Sequence, residues 1–224
     1  MDIHKPKPWH GVREFGKELS TIVLGVLIAL AGEQAVEWIH HQSEVGEARE
    51  ALREEIGQDM MKALYNQGRE ICQQPQIRQY IAWSEGAGSP PPAANSRFLV
   101  LSSANWDTVK AGPVAFMPLK QRLAFAHFYD QVADYNSMAE RERSAGFRVA
   151  ENLGFKPLDR EDGKVAKRAA TSLSQTELIL IGMANGIRIL GEEAGARVAP
   201  LPSRYAAEQG AFCGAARPSA AQGR

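Results

Sequence analysis

Thirteen uncharged residues, Leu19 to Ala31 (LSTIVLGVLIALA), stand near the start of this chain, with a basic segment before them and glutamates after. Such a block has to leave water, and how it does so decides where everything downstream resides. A membrane-spanning helix needs about 17–25 predominantly apolar residues, so an anchor must reach past the block, over residues 19–39. Its apolar contacts would be Leu19, Ile22, Val23, Leu24, Val26, Leu27, Ile28 and Leu30, with Trp38 suited to the far interface. Glu33 and Gln34 would then lie inside the boundary, where they need partners. Two other readings stay open. One is an export signal cut after Ala29-Leu30-Ala31. The other is a buried helix of a soluble protein, since apolar runs of this length are often core.

Charge around the block sets its direction. Lys5, Lys7, Arg13 and Lys17 precede it, with His4 and His10 beside them, while Glu33, Glu37, Glu44 and Glu47 follow. The positive-inside rule places the N-terminus in the cytoplasm of a bacterium and the main domain in the periplasm. The expected organisation is a cytoplasmic stretch over 1–18, an inner-membrane anchor over 19–39, an exported helical domain over 40–195 and a tail over 196–224. Only some 18 residues precede the anchor, too few for an output domain. Gly25, Ala29 and Gly32 are small residues at spacings that permit close helix packing in a bilayer, hence self-association.

The rest of the chain has ordinary globular composition, 44% hydrophobic and 23% charged. Basic and acidic residues each number 26. That balance speaks against a nucleic-acid partner, which needs a basic excess to neutralise phosphates. Two cysteines, Cys72 and Cys213, are an even number, and in an exported domain that suggests a disulfide with the tail tied down at Cys213. Two unrelated buried thiols are the alternative.

Hydrophobic periodicity reads as all-α: an N-terminal transmembrane helix continuing into an antiparallel three- or four-helix bundle with short accessory helices. No proline interrupts Val12 to Ile71. Val45, Ala48, Leu52, Ile56, Met60 and Leu64 give that helix an apolar stripe, and Arg49 to Glu55 reads as its solvated face. Gly46, Gly57 and Gly68 weaken it locally. Pro75 is expected to open a separate short helix over 76–83, followed by a proline-rich loop. Phe98 to Leu101 is a connector, and a short helix begins at Ser103 and ends by Gly112 and Pro113. Pro118 opens a long helix to Asn152, with Leu119, Leu123, Ala126, Tyr129, Val132 and Ala139 as its buried stripe. Gly154 and Pro157 stop it. A last long helix, capped by Asp159 or Asp162, buries Val165, Ala169, Leu173, Leu180, Ala184, Ile187 and Leu190. From Gly195 on, Ala, Gly, Pro and Arg predict a loop and then a disordered end.

Motifs that carry chemistry are sparse. There is no phosphate-cradling glycine loop, no GxSxG, no HExxH and no paired CxxC. Glu37 and His40 form a Glu-x-x-His pair near Glu33 and His41, but di-metal bundles need a second such pair. No metal and no cofactor is therefore expected. Cys72 with His127 is a conceivable thiolate and base, though a structural bridge explains Cys72 more simply. Asp130, Asp134, Glu140 and Glu142 read as a solvated face rather than acid–base machinery. Trp106, Phe116, Phe125, Phe128, Tyr129 and Tyr135 read mainly as core. Trp106, Phe116, Phe128 and Tyr129 are the candidates for a pocket or partner surface.

The segment from Glu14 to Gln42, built around LGVLIAL, resembles the start of a group of bacterial envelope proteins to which no activity is assigned. Later landmarks are also similar: Cys72, the Trp106-Asp107…Gly112 segment, Met117-Pro118 and Cys213. The resemblance implies a single-pass anchor, a helical domain and a disulfide, and carries no catalytic residues. Two functions remain in view. The first is an anchored binding, scaffold or sensor-like module, its partners the lipid bilayer, another envelope protein or a second copy. The second is a membrane-tethered enzyme with a site near Trp106, Asp107 and His127. An enzyme needs polar groups converging in a cleft, whereas a binding module needs an exposed apolar or aromatic patch.

Overall fold

The computed structural model describes residues 11–89, 98–152 and 160–215. Lys5, Lys7, the prolines at 90–92, Gly154, Pro157, Asp159 and the last nine residues lie outside them. The described residues are all-α: α1 (Val12–Ser84), α2 (Ala104–Val109), a 3-10 turn (Pro113–Phe116), α3 (Leu119–Asn152), α4 (Arg160–Glu193) and α5 (Ser203–Ala215). The chain divides into two compact units, 1–47 and 48–224.

In the first unit, α1 is long and apolar enough to cross a membrane, and none of that stretch is buried among the described residues. Ile22 and Ile28 are about two-thirds exposed (64% and 65%), so the described residues do not bury them as a core helix of this chain would be buried. The two hydroxyls here have local partners. Ser20 donates to the Gly16 carbonyl at 2.7 Å and Thr21 to that of Lys17 at 3.0 Å, so neither carries an unmet hydrogen bond into an apolar surrounding. His40 and His41 both pair with Glu44, at 3.1 and 3.4 Å.

In the second unit α1 is the central helix. Ala48, Leu52, Ile56 and Met60 are buried as the stripe predicts and Leu64 is half-buried, but Ala63, Glu55, Asp59, Asn66, Arg69, Glu70 and Gln73 are buried as well. Of the charged residues on the expected solvated face, Glu50, Arg53 and Glu54 are exposed and only Glu55 is buried. The polar face that is covered lies further along α1, from Glu55 to Gln73. The connector 98–103 and α2 run down it, and α5 lies along it. α4 is antiparallel to α1: Gln74 meets Glu177, Gln67 meets the Ile181 carbonyl, and Gly191 abuts Met60 and Ile56. α3 runs in the same direction as α1, since Tyr129 meets Glu55 and Val149 meets Tyr80. The connector makes this possible by carrying the chain back from the Asn66 level to the Ala51 level.

Pro75 does not divide the helix, because α1 continues through it to Ser84. An interior proline costs a helix about 3 kcal/mol. Beyond it, Ile77 and Tyr80 enter a core with Ala145, Ala166, Ala170 and Leu173, and burying side chains of that size returns about 1.5–3 kcal/mol each. The continuation is therefore favoured by packing rather than by local preference. Gly86 ends α1 and Gly195 ends α4, both at positive φ. At the latter, Ala196 donates to Gly191 and Gly195 to Glu192, so orphan carbonyls of the last turn are paired. At the head of α4, Glu161 and Asp162 place negative charge in the first turn.

The α3 stripe is displaced from the expected one. Leu119 and Leu123 are exposed, and so is Val165 on α4, while Phe125, Phe128, Tyr129, Val132, Tyr135 and Ala139 are buried. The tail is not a loop throughout, because Pro202 starts α5. α5 is fixed to α1 by the Cys72–Cys213 disulfide, which spans 141 residues of sequence. Arg69 also stacks on Phe212 at 4.4 Å, and the Tyr65 and Tyr205 rings lie 5.3 Å apart.

Candidate functional site

A connector with no sheet partner must have its backbone groups satisfied by side chains, and the polar face of α1 supplies them. Asn66 donates to the Leu99 carbonyl at 2.8 Å and accepts from its amide at 3.0 Å. On α3, Asn136 does the same for Leu101, at 3.0 and 3.1 Å. Asp59 accepts the Ser102 amide on both oxygens and binds Lys62 at 2.8 Å. Glu55 accepts the Ser102 hydroxyl at 2.7 Å, the Asn105 amide at 3.1 Å and the Tyr129 hydroxyl at 2.8 Å. Glu55 and Asp59 thereby cap the start of α2 from another helix, which local sequence rules do not anticipate. Burial nonetheless pushes the Asp59 carboxyl up to about 6, although Lys62 and Ser102 pull the other way. Burial raises the Tyr129 hydroxyl as well, with Glu55 adding to the effect.

A second polar group has no such purpose. Glu70 on α1, Glu142 on α3 and Glu177 on α4 are all buried in the bundle, at 5%, 2% and 0% exposure. Glu177 accepts from Gln74 at 2.7 Å, and Gln74 in turn accepts from Ser174. Both oxygens of Glu70 lack a hydrogen-bond partner. Desolvation and then the Glu177 and Glu142 charges push Glu70 up to about 9. Desolvation and then Glu142 push Glu177 up to about 8, against the Gln74 bond. A carboxyl stripped of water and facing like charge favours its neutral form, so burial in this cluster favours the protonated forms of Glu70 and Glu177. Among the described residues, no group of three or more His, Cys, Asp or Glu could hold a metal ion. The arrangement is a cluster of three buried carboxyls at the meeting of α1, α3 and α4.

The residues singled out by sequence do not converge. Trp106 stacks on Tyr129 at 5.1 Å, the planes 10° apart. Asp107 is held at the surface by Lys110 at 2.6 Å and Ser103 at 2.8 Å, bonds that lower its carboxyl below the usual range. His127 is exposed, and among the described residues no hydrogen bond joins it to Asp107. Cys72 is in the disulfide and cannot serve as a thiolate. Of the four surface candidates, Phe128 and Tyr129 are core, Trp106 is half-buried and Phe116 is 58% exposed. Asp130, Asp134 and Glu140 are solvated as expected, but Glu142 is not. An open groove of about 440 Å³ lies between α3 and α4, lined by Arg148, Glu151, Val165, Arg168, Ala169 and Ser172. It contains none of the candidates.

Sequence reasoning missed Glu70, Glu142 and Glu177. The available signal was register: Glu142 falls three residues after Ala139 and Glu177 four after Leu173, both in line with the buried stripe. Comparison with protein-family models, curated proteins and solved structures found no match.

Proposed function

We propose that this chain is a single-pass protein of the bacterial inner membrane, its N-terminus cytoplasmic and its helical domain periplasmic, acting as a binding, scaffold or sensor-like module. The observation that carries the reading is the apolar stretch of α1, long enough to span a membrane and exposed among the described residues. Basic residues before it and glutamates after it favour export of the domain, and the disulfide between α1 and α5 suits an oxidising compartment. Gly25 and Gly32, where an added Cβ would meet no described atom within 4 Å, and Ala29 between them offer a small-residue face to a second anchor helix. The competing reading, a tethered enzyme at Trp106, Asp107 and His127, has less support, because Asp107 is engaged with Lys110 and Ser103.

The test is thiol labelling of the membrane fraction with and without reductant. Labelling of Cys72 and Cys213 only after reduction, in a chain that resists alkaline extraction, supports an anchored and exported domain. Reactive thiols without reductant would overturn it.

A further inference from the structure

The end of the domain at which α1 enters carries an apolar patch that the bundle leaves open. Phe116, Leu119 and Leu123 are 58%, 60% and 48% exposed, at spacings of three and four residues. Their place is fixed by the side chain of Arg49, which donates to Gln121 at 3.2 Å. Arg49 lies ten residues after Ile39, the end of the apolar stretch. Even fully extended, ten residues reach no further than about 35 Å, so the patch is confined to the neighbourhood of whatever surface holds the anchor.

Charge identifies the occupant. From Thr108 to Tyr129 the chain contains Lys110, Lys120 and Arg122 and not one Asp or Glu. Lys110 is engaged with Asp107, whereas Lys120 and Arg122 flank the apolar residues, Arg122 with one guanidinium nitrogen donating to the Ala115 carbonyl at 3.4 Å. Apolar side chains bordered by cations match the acyl–headgroup boundary of a bilayer with anionic phosphates. We infer that Phe116, Leu119 and Leu123 dock the domain onto the lipid surface beside its own anchor, with Lys120 and Arg122 meeting lipid phosphates. The inference rests on the anchor reading above.

The test uses the full chain in vesicles of phosphatidylcholine and phosphatidylglycerol, with p-benzoylphenylalanine placed at Phe116 and, as a control, at Phe147, which is equally exposed near the far end of α3. Irradiation should give a lipid adduct at position 116 and not at 147. Leu119→Glu with Leu123→Glu, both on the open surface, should reduce that adduct about tenfold or more, the loss expected when an apolar contact of this size is replaced by charge. Crosslinking to a second copy, absence of a lipid adduct at 116, or equal adducts at both positions would overturn the inference while leaving a chain that resists alkaline extraction still anchored. Loss of the chain from the vesicles on alkaline washing would overturn the anchor reading, and this inference with it.

Discussion

Glu70 is where a single side chain most affects the behaviour of the protein. The ordinary value for a glutamate is 4.5, and in the bundle Glu70 is pushed up to about 9 by burial and then by Glu177 and Glu142. Folding therefore takes up a proton between those values. The sign follows: the contribution is fully present below 4.5, declines as pH rises, and is gone above about 9. Glu177, raised to about 8, and Asp59, raised to about 6, act in the same direction. Urea unfolding of the detergent-solubilised chain should give greater stability at pH 5 than at pH 8, the reverse of ordinary acid denaturation. Glu70→Gln, which cannot ionise, should be more stable than wild type by about 1–3 kcal/mol at pH 8 and equal to it near pH 4.5. A variant whose stability tracks the wild type at every pH would refute the protonated-core assignment. These carboxyls were only partly legible beforehand. Periodicity ranks apolar positions, and it placed Tyr129, Val132, Leu173 and Ile187 in the core correctly. A glutamate at such a position reads as solvent-facing until one knows that other helices surround it. Leu119 and Leu123 failed in the opposite sense. They continue the stripe in sequence but extend past the helices that would cover them.

Among the elements, α1 shows how glycine and proline depend on neighbours. Gly46 and Gly57 look alike in sequence, each a weak point in a helix. A Cβ on Gly46 would meet nothing within 4 Å, whereas one on Gly57 would sit 2.5 Å from the Arg197 carbonyl oxygen. Gly57 also accepts the Ala199 amide at 3.0 Å, so the close approach secures the α4–α5 loop. Gly46→Ala should raise stability by about 0.5–1 kcal/mol through helix propensity. Gly57→Ala should lower it by about 1–3 kcal/mol, because rigid backbone must move. Thermal unfolding of the pair decides the matter, and equal shifts of one sign would contradict the described approach. Pro75→Ala should stabilise α1 by about 1–2 kcal/mol, since it restores an amide donor to a helix that already runs through the site. If instead it destabilised the chain, proline would be needed at that position for packing. α5 was missed because its Ala- and Gly-rich composition resembles a loop. Its helicity depends on Pro202 to start it and on α1 to receive Tyr205, Phe212 and Cys213.

At the scale of the molecule, the all-α class, the uncovered apolar stretch and the pairing of Cys72 with Cys213 were readable from pattern, charge and count. The parallel course of α1 and α3 was not, because it depends on a connector whose partners are side chains of α1. The disulfide closes 141 residues, a loop for which chain entropy gives about 4–5 kcal/mol at most. Replacing both cysteines by serine should lower stability by about 2–5 kcal/mol, read as a fall in urea midpoint. Hydrogen exchange should then accelerate first in α5, whose remaining hold on α1 is a few ring and side-chain contacts.

The same bond has a consequence for survival among proteases. The segment from Cys72 to Cys213 is a covalent ring containing α2, α3 and α4. A single cut anywhere inside it leaves two pieces still tied together, each contributing helices to one core. A nicked chain would run at full mass without reductant and as two fragments with it, and it would retain its packing in between.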